Sequence, residues 1–232
     1  MERLASEQPA LRAVRVWDLP TRMFHWALVF WLLGSFVSAK IGGNALVWHM
    51  RIGYVVFSLL AFRLLWGFVG GRWSRFASFL YGPATLLRYL RGQGRSDEHL
   101  DVGHSPLGSG SVFALLLFLA AQVGSGLFAD DEIATTGPLN QFVSTATGLG
   151  LTAYHKTGGQ WALIALVLLH VAAIVAYRVR QRKDLIGPMI SGDKMLPSGV
   201  PSSHDTRATR ALAVVLLTVC IAVVACLVTL GA

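Results

Sequence analysis

Residues His155–Arg178, HKTGGQWALIALVLLHVAAIVAYR, form an apolar run of helix length with one histidine at its start and a second, His170, well inside it. The fifteen positions from one to the other correspond to a rise of about 22 Å along a helix axis. At about 100° per residue the two lie about 60° apart around that axis, so both face one side. A bilayer core is roughly 30 Å thick, which puts one histidine near each membrane face. Ionisable side chains inside a membrane helix are costly and mark functional sites. Two of them stacked in this way point to two ligands for two separate cofactors.

The composition agrees with a membrane setting. Of 232 residues 54% are hydrophobic and 14% charged, and the mean hydropathy is +0.56. These values lie outside the soluble globular class. A net charge of +8 and a pI of about 10.1 do not point to nucleic acid, because the basic residues fall between long apolar runs rather than along one face. Cys220 and Cys226 share one apolar segment and, six residues apart, point to opposite sides of a helix, which argues against a disulfide. The C-x-x-C-H motif of covalent haem attachment is absent.

Working outward from the opening stretch, the expected fold is an all-α integral membrane bundle: four cofactor-bearing transmembrane helices plus a fifth C-terminal span. The spans read as Met23–Ala39, Val47–Val69, Ser111–Ala129, His155–Arg178 and Thr209–Leu230. This divides the chain into an N-terminal tail (1–22), a membrane core (23–180), a polar loop (181–208) and a last helix (209–232). No small-residue cleavage site follows the first apolar run, so that run reads as an uncleaved anchor. The tail, the 70–110 segment and the 178–210 segment hold sixteen of the twenty Lys and Arg residues. The positive-inside rule then predicts a cytoplasmic N-terminus and a periplasmic C-terminus. Within the 70–110 segment, Phe76, Phe79, Leu80 and the stretch Pro83–Arg91 read as a short amphipathic helix on the membrane surface. An ordinary solvated loop helix has the same pattern.

With that topology each histidine has a depth. His25 and His170 are inner; His49 and His155 are outer. The pairs predicted are His49 with His155 and His25 with His170, each ligating one iron from both axial directions with a porphyrin between helices. Arg63 is fourteen positions after His49, about 21 Å deeper on nearly the same face. It places a permanent cation beside the inner pair, where a haem propionate needs a counter-charge; Arg51 and Lys156 are placed to serve the outer propionates. Zinc is a poor alternative, since two ligands at each level do not close a tetrahedral site. His99, His104 and His204 lie in loops without matching partners, and His104 in GHSPLG reads as part of a turn.

The ordered set RVWDLPTRMFHW (15–26), WHMRIGY (48–54), FRLLWGFVG (62–70), GPATLLRYLRG (82–92), GHSPLGS (103–109) and the His155/His170 span resembles the bacterial cytochrome b561 family. The branch most similar is the one containing the b-type cytochrome subunit of nickel–iron hydrogenases, over roughly residues 14–180. The resemblance implies a helical dihaem protein of the inner membrane, with two non-covalent haems b, that passes electrons between quinone and a periplasmic redox protein such as a c-type cytochrome or a hydrogenase. The family's ligand positions match His25, His49, His155 and His170. It also implies quinone chemistry beside the inner haem, where Trp66, Phe68 and the Phe76–Leu90 segment offer an apolar wall. Docking of the partner is expected on the outer 130–154 loop, which carries Asp130, Asp131 and Glu132. Two other readings stay open: a stand-alone quinone-coupled oxidase of a small species such as superoxide, and a structural membrane anchor. A homo-oligomer is compatible with the sequence.

Overall fold

Helix α1 (Leu19–Ile41) begins four residues before the expected Met23, and the reason is its cap. Asp18 stands in extended backbone as the N-cap, its Oδ1 accepting the Thr21 N–H at 2.8 Å, and Pro20 occupies the first turn, where no N–H is required. The same carboxylate reaches the far end of helix α2 (Ala45–Val69). The Trp66 indole N–H donates to its two oxygens at 3.2 and 3.3 Å, and the Gly71 N–H donates to Oδ2 at 2.7 Å. Asp18 and Trp66 are fully buried, and a Cβ at Gly71 would run into the carboxylate. At the other end Gly42 and Gly43, with φ of 68° and 53°, let α1 reverse into α2. One acid and two glycines thus set an antiparallel hairpin.

The computed structural model of the chain describes residues 10–95, 98–133 and 135–230. After the hairpin come α3 (Pro83–Leu90), α4 (Pro106–Leu127), α5 (Thr145–Tyr154), α6 (Gln160–Arg180), α7 (Ile186–Ser191) and α8 (Arg207–Thr229). Among the described residues five helices are long and apolar enough to cross a membrane: α1, α2, α4, the rod made by α5 and α6, and α8. Their outward faces are apolar, with Phe30, Leu33, Phe36, Leu168, Leu169, Val214 and Val215 all exposed. Lipid, rather than protein, is the solvent for such faces. The chain is a multi-pass membrane protein. Helix α2 lies at the centre, against α1, α4 and α8, while α4 packs on α6. Phe24, Leu59, Phe62, Trp66, Ala213 and Cys220 join α1, α2 and α8. Val56, Leu60 and Leu119 join α2 to α4.

Two segments behave differently from the sequence expectation. Strand β1 (Leu11–Arg15) pairs antiparallel with strand β2 (Asp193–Pro197), Leu11 opposite Pro197 and Arg15 opposite Asp193. The described part of the expected tail before α1 and much of the expected 181–208 loop are therefore parts of one small cap. Residues 1–9, Arg3 among them, lie outside the described residues. The cap has its own core of Val14, Val16, Trp17, Trp73, Val102 and Val200. Arg15 bridges Asp193 at 2.6 Å and Asp205 at 2.7 Å, and Arg210 reaches Asp205 at 2.8 Å, which ties the sheet to the start of α8. On the opposite side, the expected 130–154 loop is shorter. Helix α5 begins at Thr145, capped by Ser144, whose Oγ accepts the Thr147 N–H at 3.2 Å.

Asp18→Ala should cost roughly 3–5 kcal/mol, because it removes a helix cap and strands buried donors and a nearby buried cation. Thermal unfolding of the purified protein in detergent reads this as a lower midpoint, with Asp18→Asn in between. An unchanged midpoint for Asp18→Ala would show that the hairpin is held elsewhere.

Candidate cofactor sites

The outer pair is built by two helices reaching for two others. His49, in the first turns of α2, donates its Nδ1–H to the Ser35 carbonyl of α1 at 2.9 Å, with the Ser35 hydroxyl 3.2 Å away. His155, at the end of α5, donates its Nδ1–H to the Gln122 carbonyl of α4 at 2.9 Å, with the Ser125 hydroxyl at 3.2 Å. A carbonyl only accepts, so both rings carry their proton on Nδ1 and keep the Nε2 lone pair free. This is the arrangement in which a second partner fixes a ligating histidine's tautomer and orientation. The ring centroids are 6.0 Å apart and the planes 83° to one another. Metal–imidazole bonds of roughly 2 Å allow two rings at this separation to take opposite sides of one ion.

The main chain around His155 is shaped for this. Residues His155–Gly159 make a π-helical turn between α5 and α6, a feature common at functional sites. Gln122 donates its side-chain N–H to the His155 carbonyl at 2.9 Å. Gly159 leaves room for that side chain, and a Cβ at Gly126 would stand 3.0 Å from the His155 ring. The wider turn takes up about one extra residue, so His155 and His170 are about fourteen α-helical steps apart in rotation. Their angular separation becomes about 40° rather than the 60° of an unbroken helix.

At the other level, His25 on α1 and His170 on α6 are close enough to influence one another electrostatically. His25 packs edge-on against Trp26, with centroids 5.1 Å apart, and its Nδ1 is buried with no hydrogen-bond partner among the described residues. Arg63 of α2 is only 3% exposed. Its Nη2 donates to the Ser74 carbonyl at 3.1 Å and its guanidinium lies 4.8 Å over the Phe76 ring. Its Nη1 is buried and unpartnered among the described residues. Buried polar atoms without a partner are costly unless a further group arrives. No group of three or more His, Cys, Asp or Glu able to hold a metal ion occurs among the described residues; the histidines come in twos.

The remaining candidates sit at the rim. Arg51 is exposed and lies 5.0 Å over the Trp48 ring. Lys156 is exposed on the π turn, within electrostatic range of His155. Asp130 and Asp131 turn back on their own backbone, accepting the N–H groups of Glu132 and of Ile133 and Thr135 at 2.8–3.0 Å. Ser35 had no visible signal in the sequence beyond being a polar residue in an apolar run. Gln122 and Ser125 did have one, since with Gly124 and Gly126 they interrupt the apolar run of the third span with small and polar residues.

The profile of the prokaryotic cytochrome b561 family matches residues 16–192. The chain belongs to that family. It is 25% identical over 222 residues to the probable Ni/Fe-hydrogenase B-type cytochrome subunit of Bradyrhizobium diazoefficiens, covering 78% of this chain and 85% of the relative. It is 27% identical over 220 residues to that of Rhodobacter capsulatus (78% and 81%). To the probable Ni/Fe-hydrogenase 1 B-type cytochrome subunit of Escherichia coli K12 it is 21% identical over 223 residues (82% and 94%). No solved structure matches. As a b-type cytochrome of this family the chain carries haem b and serves membrane electron transport.

Gly67 is the tightest packing point of the Arg63 site, since a Cβ there would fall inside the Phe76 ring that lies under the guanidinium. Gly67→Ala should destabilise by about 1–3 kcal/mol through overpacking, read as a lower unfolding midpoint in detergent. A native-like midpoint would mean that Phe76 is free to move.

Proposed function

We propose that this protein is a dihaem cytochrome b of the bacterial inner membrane that carries electrons between the quinone pool and a periplasmic redox protein. The observation that carries this reading is the outer pair: two histidines from different helices, rings 6.0 Å apart, each with Nδ1 tied to a carbonyl. His49 and His155 would hold one haem b, and His25 and His170 the other, within a core of residues 23–180. Haem b supplies a one-electron centre. The protein's part is to fix the axial rings, exclude water and balance propionate charge, with Arg63 on the inner side and Arg51 and Lys156 on the outer.

The excess of Arg and Lys around the sheet cap supports a cytoplasmic N-terminus and a periplasmic C-terminus. The names of the relatives support a Ni/Fe-hydrogenase as the periplasmic partner; a c-type cytochrome would meet the same chemical need. Docking is assigned to the 130–154 stretch, in its acidic part ahead of α5, where Glu132 is exposed. Quinone is assigned to the cytoplasmic side, where exposed Phe68, half-buried Phe76 and Leu87 and Leu90 of α3 offer apolar surface. The exposed cations Arg51 and Lys156 are the one feature that favours a second reading, a quinone-coupled oxidase of a small anion such as superoxide.

Pyridine haemochrome analysis should return two haems per chain. His49→Ala and His155→Ala should lose the same haem, and His25→Ala and His170→Ala the other. A spectrum that pairs His25 with His155 would refute the depth assignment, and a ratio of one or zero would refute the dihaem reading.

A quinone-analogue inhibitor should shift the spectrum or potential of the haem lost in His25→Ala and leave the other unchanged. Perturbation of the haem lost in His49→Ala would move quinone to the periplasmic side and favour the oxidase.

A further inference from the structure

The motif Gly103–Gly108, GHSPLG, is explained by local structure at nearly every position. Gly103 packs against Trp73. Ser105 caps α4 by accepting the Gly108 N–H at 3.2 Å, and Pro106 opens the helix. The His104 carbonyl accepts the Tyr81 hydroxyl at 2.9 Å. Only the His104 side chain lacks an explanation.

That ring does not face open solvent as a turn residue would. It lies between Trp17 and Phe79, with centroids 4.7 and 4.5 Å away. Its Nδ1 is buried with no partner among the described residues, as is Nη1 of Arg63. Arg63 and Lys194 are the charges that bear on it most, followed by His170 and His25. Burial and these cations push its pKa down to about 3, so the ring is neutral and has one N–H to give. Neighbouring acceptors are already engaged. Asp18 receives Thr21, Trp66 and Gly71, and the carbonyls of Asp101 and Val102 receive Lys194 Nζ at 3.1 and 2.7 Å. Two buried nitrogens without partners among the described residues, one on cationic Arg63 and one on the His104 ring, with Lys194 in electrostatic range, suit an anion with two oxygens.

We propose that His104 and Arg63 together bind one propionate of the haem held by His25 and His170, its carboxylate accepting from Arg63 Nη1 and from the His104 ring. The proposal rests on the dihaem reading above. It makes His104 a positioning residue on the cytoplasmic side: it reaches the haem by its edge and leaves the iron to the two axial rings. The neutral N–H also lowers the effective negative charge near the iron. Its loss should therefore disfavour the reduced state.

The test uses the purified full-length protein. His104→Phe keeps an aromatic ring between Trp17 and Phe79 but removes the N–H, His104→Leu removes it with a different shape, and His104→Gln restores a donor. Haem per chain, both midpoint potentials and the propionate bending band in resonance Raman spectra are recorded. In His104→Phe and His104→Leu the haem lost in His25→Ala should move to lower potential with a shifted propionate band, while the other haem stays unchanged. His104→Gln should return part of the shift, and Arg63→Gln should move the same haem in the same direction. Two haems with native potentials and an unshifted band in either N–H-free variant would reduce His104 to packing and overturn the proposal. A shift confined to the haem lost in His49→Ala would overturn it as well. A native protein with one haem or none would overturn the dihaem reading together with it.

Discussion

The two oxygens of Asp18, at zero exposure, receive the Thr21 and Gly71 N–H groups and the Trp66 indole. In water a contact of this kind would add a few kcal/mol to a fold that apolar burial already defines. Between lipid-facing helices it matters more, because lipid tails are as apolar as leucine and burial alone gives neighbouring helices little reason to choose one register. A second polar link joins the same two helices at the other end, where His49 donates to Ser35. Held at both ends, α1 and α2 cannot slide past each other. The depths of His25, His49 and Arg63 follow from that.

The α4–α6 side uses the same physics with smaller residues. The His155 ring is held by the Gln122 carbonyl and the Ser125 hydroxyl, and the Gln122 side chain returns a bond to the His155 carbonyl. Such an exchange requires close approach, which Gly126 and Gly159 permit. The π turn at His155–Gly159 widens the helix where the exchange occurs. A ring held this way has its tautomer set by a carbonyl and its angle set by backbone. The inner pair is different. His25 Nδ1 and Arg63 Nη1 are buried and unmatched among the described residues.

The cap formed by β1, β2 and the segments around Trp73 and Val200 closes the basic side of the bundle. It links the chain's N-terminal strand to the approach of α8 through Arg15, Asp193, Asp205 and Arg210. The family match ends at residue 192, before α8 begins at Arg207. That helix nonetheless shares a cluster with the matched part, through Ala213 and Cys220 against Phe24 and Trp66.

The sequence by itself determined the fold class, the five spans and the family, because a bilayer demands about twenty apolar residues per crossing and that demand is local. It also placed His155 and His170 on nearly one face of one rod, although the π turn at His155–Gly159 that shifts their angle was not legible in it. Tertiary structure decided which groups meet across helices. The β1–β2 pairing joins segments about 180 residues apart, and no periodicity in either one announces the other. Ser35 looks like any polar residue in an apolar run until His49 is set against it. His104 reads as a turn residue because Ser105 and Pro106 start a helix beside it; its ring acquires a place only when Trp17 and Phe79 close around it. Helix formation depends on near neighbours in the chain, whereas hydrogen-bond partners and buried charge depend on distances that only packing creates.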